Sequence, residues 1–248
     1  MTVEIERLGE IIQTSGNIVF FGGAGVSTES GIPDFRSAGG LYDSKKNEEP
    51  LLPDYPPETI LSYSFFMEHT GEFYDFYREK MLYPNAKPNN AHIALAELEK
   101  QGKLKAVITQ NVDGLHFKAG SVNVLELHGS ALRNICVKCK KCYTLEIIIN
   151  SEGIPLCSCG GVIKPDVVLY EEGLDPHVMS RATSAIHEAD VMIVGGTSLN
   201  VYPAAGMVNY YRGDKMILIN KSETAYDRYA DLIIRESIGQ TLSDAVSV

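Results

Sequence analysis

The stretch that decides the fold is Ile18-Val19-Phe20-Phe21-Gly22-Gly23-Ala24-Gly25-Val26-Ser27-Thr28, continuing through Gly31 and Ile32 to Phe35 and Arg36. Four consecutive apolar residues predict a strand buried on both faces, the kind found in a parallel sheet sandwiched by helices. Its glycine-rich end predicts a tight turn into a helix. Such a turn lets backbone N–H groups approach a pyrophosphate, and the helix N-terminus adds partial positive charge. Gly23 and Gly25 supply two of the three glycines of the usual dinucleotide fingerprint, and Thr28 stands in the third place. A strand–helix turn with no ligand satisfies the same residues.

Further apolar runs extend this reading. They are Ala106 to Gln110, Val122 to Leu127, Val167 to Tyr170, Val191 to Val194, Met216 to Asn220 and Leu232 to Ile234. Helical spacing predicts an N-terminal helix through Ile5, Leu8, Ile11 and Ile12, and another beginning at Asn89 or Asn90. Pro176 to His187 and Pro203 to Tyr211 read as helices too. The class is α/β: a Rossmann-like parallel sheet with helices on both faces. Two stretches interrupt the alternation. Asp43 to Pro57 holds four prolines among charges, followed by aromatic-rich helical patterning to about Leu82. The second is the cysteine-bearing segment from Arg133 to Lys164. Together they predict a small second domain. Its parts are a helical insertion at 38–87 and a zinc-ribbon insertion at 133–165. The domain that carries the glycine turn then comprises 1–37, 88–132 and 166–248. No second strand with a terminal acidic residue follows within ~30 residues of the first, as an ordinary dinucleotide unit requires. That argues against a hydride-transferring dehydrogenase.

The chain has 248 residues, 44% of them apolar and 22% charged. Those proportions are ordinary for a globular protein. The net charge of −10 repels a phosphate backbone, so nucleic acid and anionic membrane are not expected partners. Residues 1–13 show no basic segment followed by an apolar block, and no apolar run reaches membrane-spanning length. A cytoplasmic location is expected, as a monomer without targeting extensions.

In open α/β sheets, ligands sit beyond the carboxyl ends of the strands. Thr109-Gln110-Asn111-Val112-Asp113, His128-Gly129, Gly195-Gly196-Thr197-Ser198 and Asn220 each follow a predicted strand. Each alone serves equally as a cap or turn residue; their joint placement points to a nucleotide site. His128 is the general-base candidate, because imidazole titrates near neutral pH. His116 is its rival, and His92 reads as a packing residue.

All five cysteines fall between 136 and 159. Cys136-x2-Cys139, 17 residues, then Cys157-x-Cys159 forms two knuckles able to close on one tetrahedral zinc. Cys139 with Cys142 is an alternative first pair. Four thiolates leave no open position for water, so the zinc is structural.

The chain resembles the sirtuin family. GGAGVSTESGIPDFR (22–36), TQNVDGLH (109–116), ELHGS (126–130), KPDVVLYEEGL (164–174) and GGTSLNVYPAA (195–205) follow the family's motifs in order, across nearly the whole chain. The resemblance implies an NAD-dependent protein-lysine deacetylase, with NAD and acetyl-lysine peptide meeting between the two domains. It implies that Ala24, Thr28 and Arg36 line the phosphates and ribose. Phe35 covers the reacting ribose carbon. Gln110, Val112 and Asp113 hold ribose and nicotinamide amide, with Ile32 and Asn111 beside them. Thr197, Ser198, Asn220 and Ile238 take the adenosine side. His128 is the base, and Val168 and Leu169 pair with the peptide as an added strand.

The implied reaction breaks the nicotinamide–ribose bond, the acyl oxygen captures the sugar carbon, and a base frees a ribose hydroxyl to attack. Its products are deacylated lysine, nicotinamide and acyl-ADP-ribose. Sirtuins that prefer succinyl or malonyl groups place Tyr-x-x-Arg in the small-domain helix. Here the matching run is Tyr74-Asp75-Phe76-Tyr77, so acetyl is the expected acyl group. The cysteine pair at 157 and 159 is one residue shorter than usual. Two other functions share these residues: a protein ADP-ribosyltransferase, and a non-catalytic NAD or ADP-ribose binding module.

Overall fold

A computed structural model describes residues 2–35, 37, 40–42, 52 and 55–247. A six-stranded parallel sheet forms its centre. Its strands are β1 (Ile18–Gly22), β2 (Leu104–Thr109), β3 (Val124–Glu126), β7 (Val191–Gly195), β8 (Lys215–Ile219) and β9 (Leu232–Ile234). Their order is β3-β2-β1-β7-β8-β9. Alternate residues of β1 supply two cores. Ile18 and Phe20 join one packed by α1 (Val3–Thr14), α5 (Asn90–Lys100) and α9 (Ile238–Ser247). Val19 and Phe21 join the other, under α8 (Pro176–Glu188) and the 3₁₀ segment Ala204–Tyr210. Burial on both faces is why these runs are continuously apolar.

A second sheet is antiparallel, in the order β5-β4-β6. Its strands are β4 (Gly129–Cys136), β5 (Cys142–Thr144) and β6 (Ile163–Val167). It shares a third core with α2 (Pro57–Ile60), α3 (Tyr63–Glu68), α4 (Thr70–Lys80) and α7 (Glu146–Ile149). Aromatic edges dominate this core, with Phe66, Phe73 and Tyr74 packed T-shaped. The short helix α6 (Leu115–Ala119) lies between β2 and β3.

Several sequence expectations are corrected. Val167 to Tyr170 is not a strand of the parallel sheet. Val167 ends β6, and Tyr170 forms a single bridge with Ser62. The run Val122 to Leu127 shortens to β3, because Val122 is 82% exposed. Pro203 to Tyr211 is 3₁₀ rather than α-helical. The glycine turn does not open an α-helix. It runs through two 3₁₀ turns, Ala24–Val26 and Thr28–Ser30, which end at Gly31 in the left-handed region (φ 82°). Helical patterning from Glu58 to Leu82 splits into α2, α3 and α4, each restarted at a new cap. Most of the proline-rich stretch 43–57, and Arg36, lie outside the described residues.

Candidate active site

The chain leaves β1 towards β2 on one side, while β7 adjoins β1 on the other. Strand order therefore reverses between β1 and β7, which is where open α/β sheets bind ligands. Both strands end in glycine pairs, Gly22-Gly23 and Gly195-Gly196. The two turns touch: Gly25 N–H donates to the Gly196 carbonyl at 2.8 Å, and Gly23 N–H to the Gly195 carbonyl at 3.3 Å. A Cβ on Gly25 would lie 2.8 Å from Gly196 backbone atoms, and Gly196 itself has φ 58°. Glycine is required here for the close contact between the two turns.

That contact is part of a wider pattern of hydrogen bonds within the turn. The N–H groups of Gly23, Gly25, Val26 and Ser27 are all spent on carbonyls of the protein. Within Gly23–Ser27, only the Ala24 N–H has no partner among the described residues. The turn leads into two short 3₁₀ segments, Ala24–Val26 and Thr28–Ser30, rather than into an α-helix.

The turn's side chains instead reach across to the end of β2. Ser27 Oγ donates to Asp113 Oδ2 (2.7 Å) and accepts from Asn111 Nδ2 (3.1 Å). The Leu115 N–H donates to the other Asp113 oxygen (2.8 Å). Asp113 thus has both oxygens fixed, and Asn111 is buried beside it. Ser27 lies 84 and 86 residues from these partners and was not singled out in the sequence. The signal available was its hydroxyl at a strand's carboxyl end, the rule applied to Thr109 and Asn111. Further along the rim, Gln110 Nε2 donates to Thr197 Oγ1 at 3.1 Å.

His128 follows β3, half-buried, with Nδ1 3.0 Å from the Gln110 carbonyl oxygen. A carbonyl only accepts, so Nδ1 carries the proton and Nε2 keeps its lone pair. Burial lowers the imidazole's pKa, and the Gln110 carbonyl opposes the shift. The ring is therefore neutral at pH 7 and competent as a base. His116, the rival, does not reach this site. It is buried against Phe20 and His92, with ring centroids 6.2 and 4.7 Å away. His92 does pack in the core, and its Nδ1 accepts the Asn89 N–H in the cap of α5.

One cleft of about 860 Å³ gathers Ala24, Ile32, Phe35, Gln110, Asn111, Val112, Asp113, His128, Val168 and Leu169. Thr28, Thr197, Ser198, Asn220 and Ile238 do not line it. Thr28 Oγ1 donates locally to the Gly25 carbonyl. Thr197, Ser198 and Asn220 follow β7 and β8. Ile238 is buried at the start of α9, against Gly195. The cleft wall is held by charge as well. Arg133 donates to Glu126 (2.7 Å) and to Asp166 (2.9 Å), tying the end of β3 to β6 two residues before His128. Burial raises the Glu126 carboxyl pKa, and Arg133 opposes it.

Tyr77 is fully buried, stacked on Phe73 at 5.4 Å, and does not line the cleft. Arg78 faces away from it, bonded to the Ile148 carbonyl, Ser151 Oγ and the Gly153 carbonyl. Among the described residues, the cations lining the cleft are Lys80 and Lys118. Lys80 pairs with Glu79 at 2.7 Å, and Lys118 donates to the Ala86 carbonyl.

Outside the lining of the cleft, the sulfur atoms of Cys136, Cys139, Cys157 and Cys159 lie within 4.8 Å of one another. Cys136–Cys159 and Cys139–Cys157 are 3.5 and 3.6 Å apart. A tetrahedron with Zn–S of about 2.3 Å has edges of about 3.8 Å, so the set fits zinc. Tyr143 donates to Cys157 Sγ at 3.0 Å, an outer-shell bond of the kind metal thiolates receive. Cys142 stands outside the set, on β5. The short Cys157-x-Cys159 pair closes because Gly160 and Gly161 turn the chain beneath it. Gly160 has φ 78°, and a Cβ on Gly161 would meet Cys136 Sγ at 2.8 Å.

Comparison with known proteins agrees with this geometry. The Sir2 family model matches residues 23–203. An NAD-dependent protein deacetylase of Clostridium acetobutylicum is 59% identical over 245 residues, covering 98% of both chains. One from Clostridium perfringens is 58% identical over 248 residues, covering 99% of this chain and all of the relative. A solved Sir2–p53 peptide–NAD⁺ complex superposes with TM-score 0.84 at 36% identity, covering 100% of this chain and 98% of the other. A Sir2 protein with deacetylated p53 peptide and 3′-O-acetyl-ADP-ribose gives 0.86 at 37% identity, covering 98% and 97%.

Proposed function

The chain belongs to the Sir2 family, and from that premise we propose how its cleft works. The protein is an NAD-dependent protein deacetylase. It passes the acetyl group of acetyl-lysine to ADP-ribose and releases nicotinamide. NAD supplies an electrophilic ribose carbon and nicotinamide as leaving group; the work of the chain is to bind, orient, exclude water and move one proton.

His128 is the general base. Its Nε2 takes the proton from a ribose hydroxyl, and Nδ1–H stays on the Gln110 carbonyl throughout. Asp113, with Ile32, Asn111 and Val112, holds the nicotinamide carboxamide. Asp113 is an acceptor held by Ser27 and Leu115, suited to an amide NH₂. Phe35 covers the ribose carbon, because water reaching it would hydrolyse NAD without deacetylation. Ala24, Thr28 and Arg36 serve the phosphates. Thr197, Ser198, Asn220 and Ile238 take the adenosine side beyond β7, β8 and β9. The zinc, held by Cys136, Cys139, Cys157 and Cys159, keeps the small sheet folded.

Acetylated peptides are the substrates. Val168 and Leu169 pair with the peptide backbone, and residues 168–170 support this by their own accounting. Val168 N–H is bonded to the His128 carbonyl, Leu169 N–H to Glu172 and its carbonyl to Glu172 N–H, and both Tyr170 groups to Leu61 and Tyr63. The Val168 carbonyl alone has no partner among the described residues, and it is the acceptor for an incoming amide. We divide the chain as the sequence suggests, with 38–87 and 133–165 as the small domain. The third hydrophobic core, built from α2–α4 and the zinc region, supports that division. No described helix is long and apolar enough to cross a membrane. A cytoplasmic monomer that binds neither nucleic acid nor membrane completes the reading, supported by the net charge of −10.

The observation that carries the mechanism is His128, its Nδ1 on the Gln110 carbonyl, in one cleft with Asp113, Phe35 and Val168. The test is incubation with NAD, with and without an acetyl-lysine peptide, following nicotinamide by mass spectrometry. Deacetylation requires release that depends on the peptide. ADP-ribose appearing on protein without acetyl-lysine indicates a transferase, and no release indicates a binding module.

A further inference from the structure

We propose that Lys164 and Glu172 are positioning residues: their ion pair holds the Val168 carbonyl where it accepts a hydrogen bond from the acyl-lysine amide. The inference rests on the reading of residues 168–169 as the peptide-pairing segment. Lys164 Nζ donates to Glu172 Oε2 (2.8 Å) and to the Val167 carbonyl (2.8 Å), with a longer contact to the Pro165 carbonyl (3.4 Å). The same Glu172 oxygen accepts the Leu169 N–H (2.9 Å), and Glu172 N–H returns to the Leu169 carbonyl (3.0 Å). The pair thus grips the residue on each side of Val168. Val168 is left with one free polar group and little freedom to turn it.

Two features separate this pair from an ordinary surface ion pair. The Lys164 and Glu172 side chains are 14% and 27% exposed, so both are largely withdrawn from water. Removing one partner leaves the other's polar atoms poorly satisfied. The second feature is the turn itself. Leu169 to Glu172 closes through Glu171 at φ 76°, the left-handed place where a type II turn favours glycine. Glu171 is held there by its carboxylate, which accepts Ser64 N–H and Oγ–H at 2.9 Å each. One carboxylate fastens the segment to β6 and its neighbour fastens it to α3. Hydrogen-bond strength falls steeply with angle, so loosening this turn weakens acceptance by the Val168 carbonyl before it disturbs the cofactor side.

The experiment is steady-state kinetics on the zinc-loaded full chain, varying peptide and NAD separately. Wild-type activity is measured first: absence of peptide-dependent nicotinamide release would refute the deacetylase reading rather than the pair. With wild type active, Glu172→Ala and Lys164→Met are each expected to raise the peptide KM about ten-fold. The NAD KM stays within two-fold and kcat falls less than three-fold. Glu172→Gln keeps an acceptor for Leu169 N–H and loses the charge, so it is expected to fold and to fall between. A peptide whose acyl-lysine amide carries an N-methyl group has no proton to donate. Wild type should bind it more weakly than the parent peptide, and the pair variants should show a smaller difference between the two. Peptide KM unchanged in Glu172→Gln and whichever other variants fold overturns the proposal. So does an equal rise in both KM values, or an undiminished N-methyl penalty; each would leave the pair a purely structural contact.

Discussion

The Nδ1 of His128 sits 3.0 Å from the backbone carbonyl oxygen of Gln110, and this single hydrogen bond decides which ring nitrogen can act as base. The carbonyl fixes the tautomer, and burial keeps the ring neutral at pH 7. His128→Ala should lower kcat by about 10²–10⁴ while leaving NAD affinity within a few-fold. In wild type, kcat/KM should fall on the acid side with a midpoint below the ordinary imidazole value of about 6.5. A dead His116→Ala beside an active His128→Ala would reverse the assignment.

Acyl selectivity follows from what lines the cleft. Phe35, Val112 and Val168 are apolar, Arg78 is bonded elsewhere, and Tyr77 is buried behind the wall. A succinyl carboxylate would lose hydration without gaining a guanidinium partner among the described residues. Acetyl peptide should therefore exceed succinyl peptide in kcat/KM by about 10² or more, since unpaired burial of a charge costs several kcal/mol. Tyr77→Arg should not rescue succinyl turnover, because it would put a cation into an aromatic core. Comparing both peptides on both proteins checks this, and equal turnover by wild type would refute it.

Zinc should bind one to one. Cys136→Ser should release it and Cys142→Ser should not, because only Cys136 stands within the sulfur cluster. Chelation should unfold the small sheet and abolish activity indirectly. Elemental analysis with circular dichroism before and after chelation reads both effects. A chain without zinc that stays folded and active would refute the assignment.

Stability should fall on acidification. Burial, reinforced by the neighbouring His92, lowers the His116 pKa to about 3. Between that value and the unfolded value of about 6.5, the unfolded chain binds a proton that the native chain does not. The stabilisation is complete above pH 6.5 and is lost as pH falls towards 3, with a slope of up to about 1.4 kcal/mol per pH unit for this group. Thermal unfolding from pH 7 to pH 4.5 should show a falling Tm, and His116→Gln should flatten the curve. A variant as pH-sensitive as wild type would show that other groups carry the effect.

Much of this protein is legible from its sequence because burial leaves a local record. Continuous runs such as Ile18 to Phe21 and Val191 to Val194 mark strands covered on both faces, and the cysteine spacing marks a metal whose ligands are neighbours in the chain. The family motifs mark His128 and Asp113. Where the reading erred, nonlocal packing outweighed local pattern. Val167 to Tyr170 has the composition of a core strand, yet it completes the small sheet and then runs between His128 and Leu61. Pro203 to Tyr211 has helical composition and packs as 3₁₀.

Only the tertiary structure decided the relationships that give the site its chemistry. Ser27 meets Asp113 and Asn111, Gly25 meets Gly196, Arg133 joins Glu126 to Asp166, and Lys164 and Glu172 enclose Val168. It also decided that the glycine turn spends its N–H groups on the protein, and that His116 rather than His128 is lost to the core. The physical reason is range. A side chain's preference to be buried repeats every two or 3.6 residues and can be read along the chain. Which hydroxyl meets which carboxylate across more than eighty residues is set by how the sheet orders its strands, and that order emerges only when all the strands are packed at once.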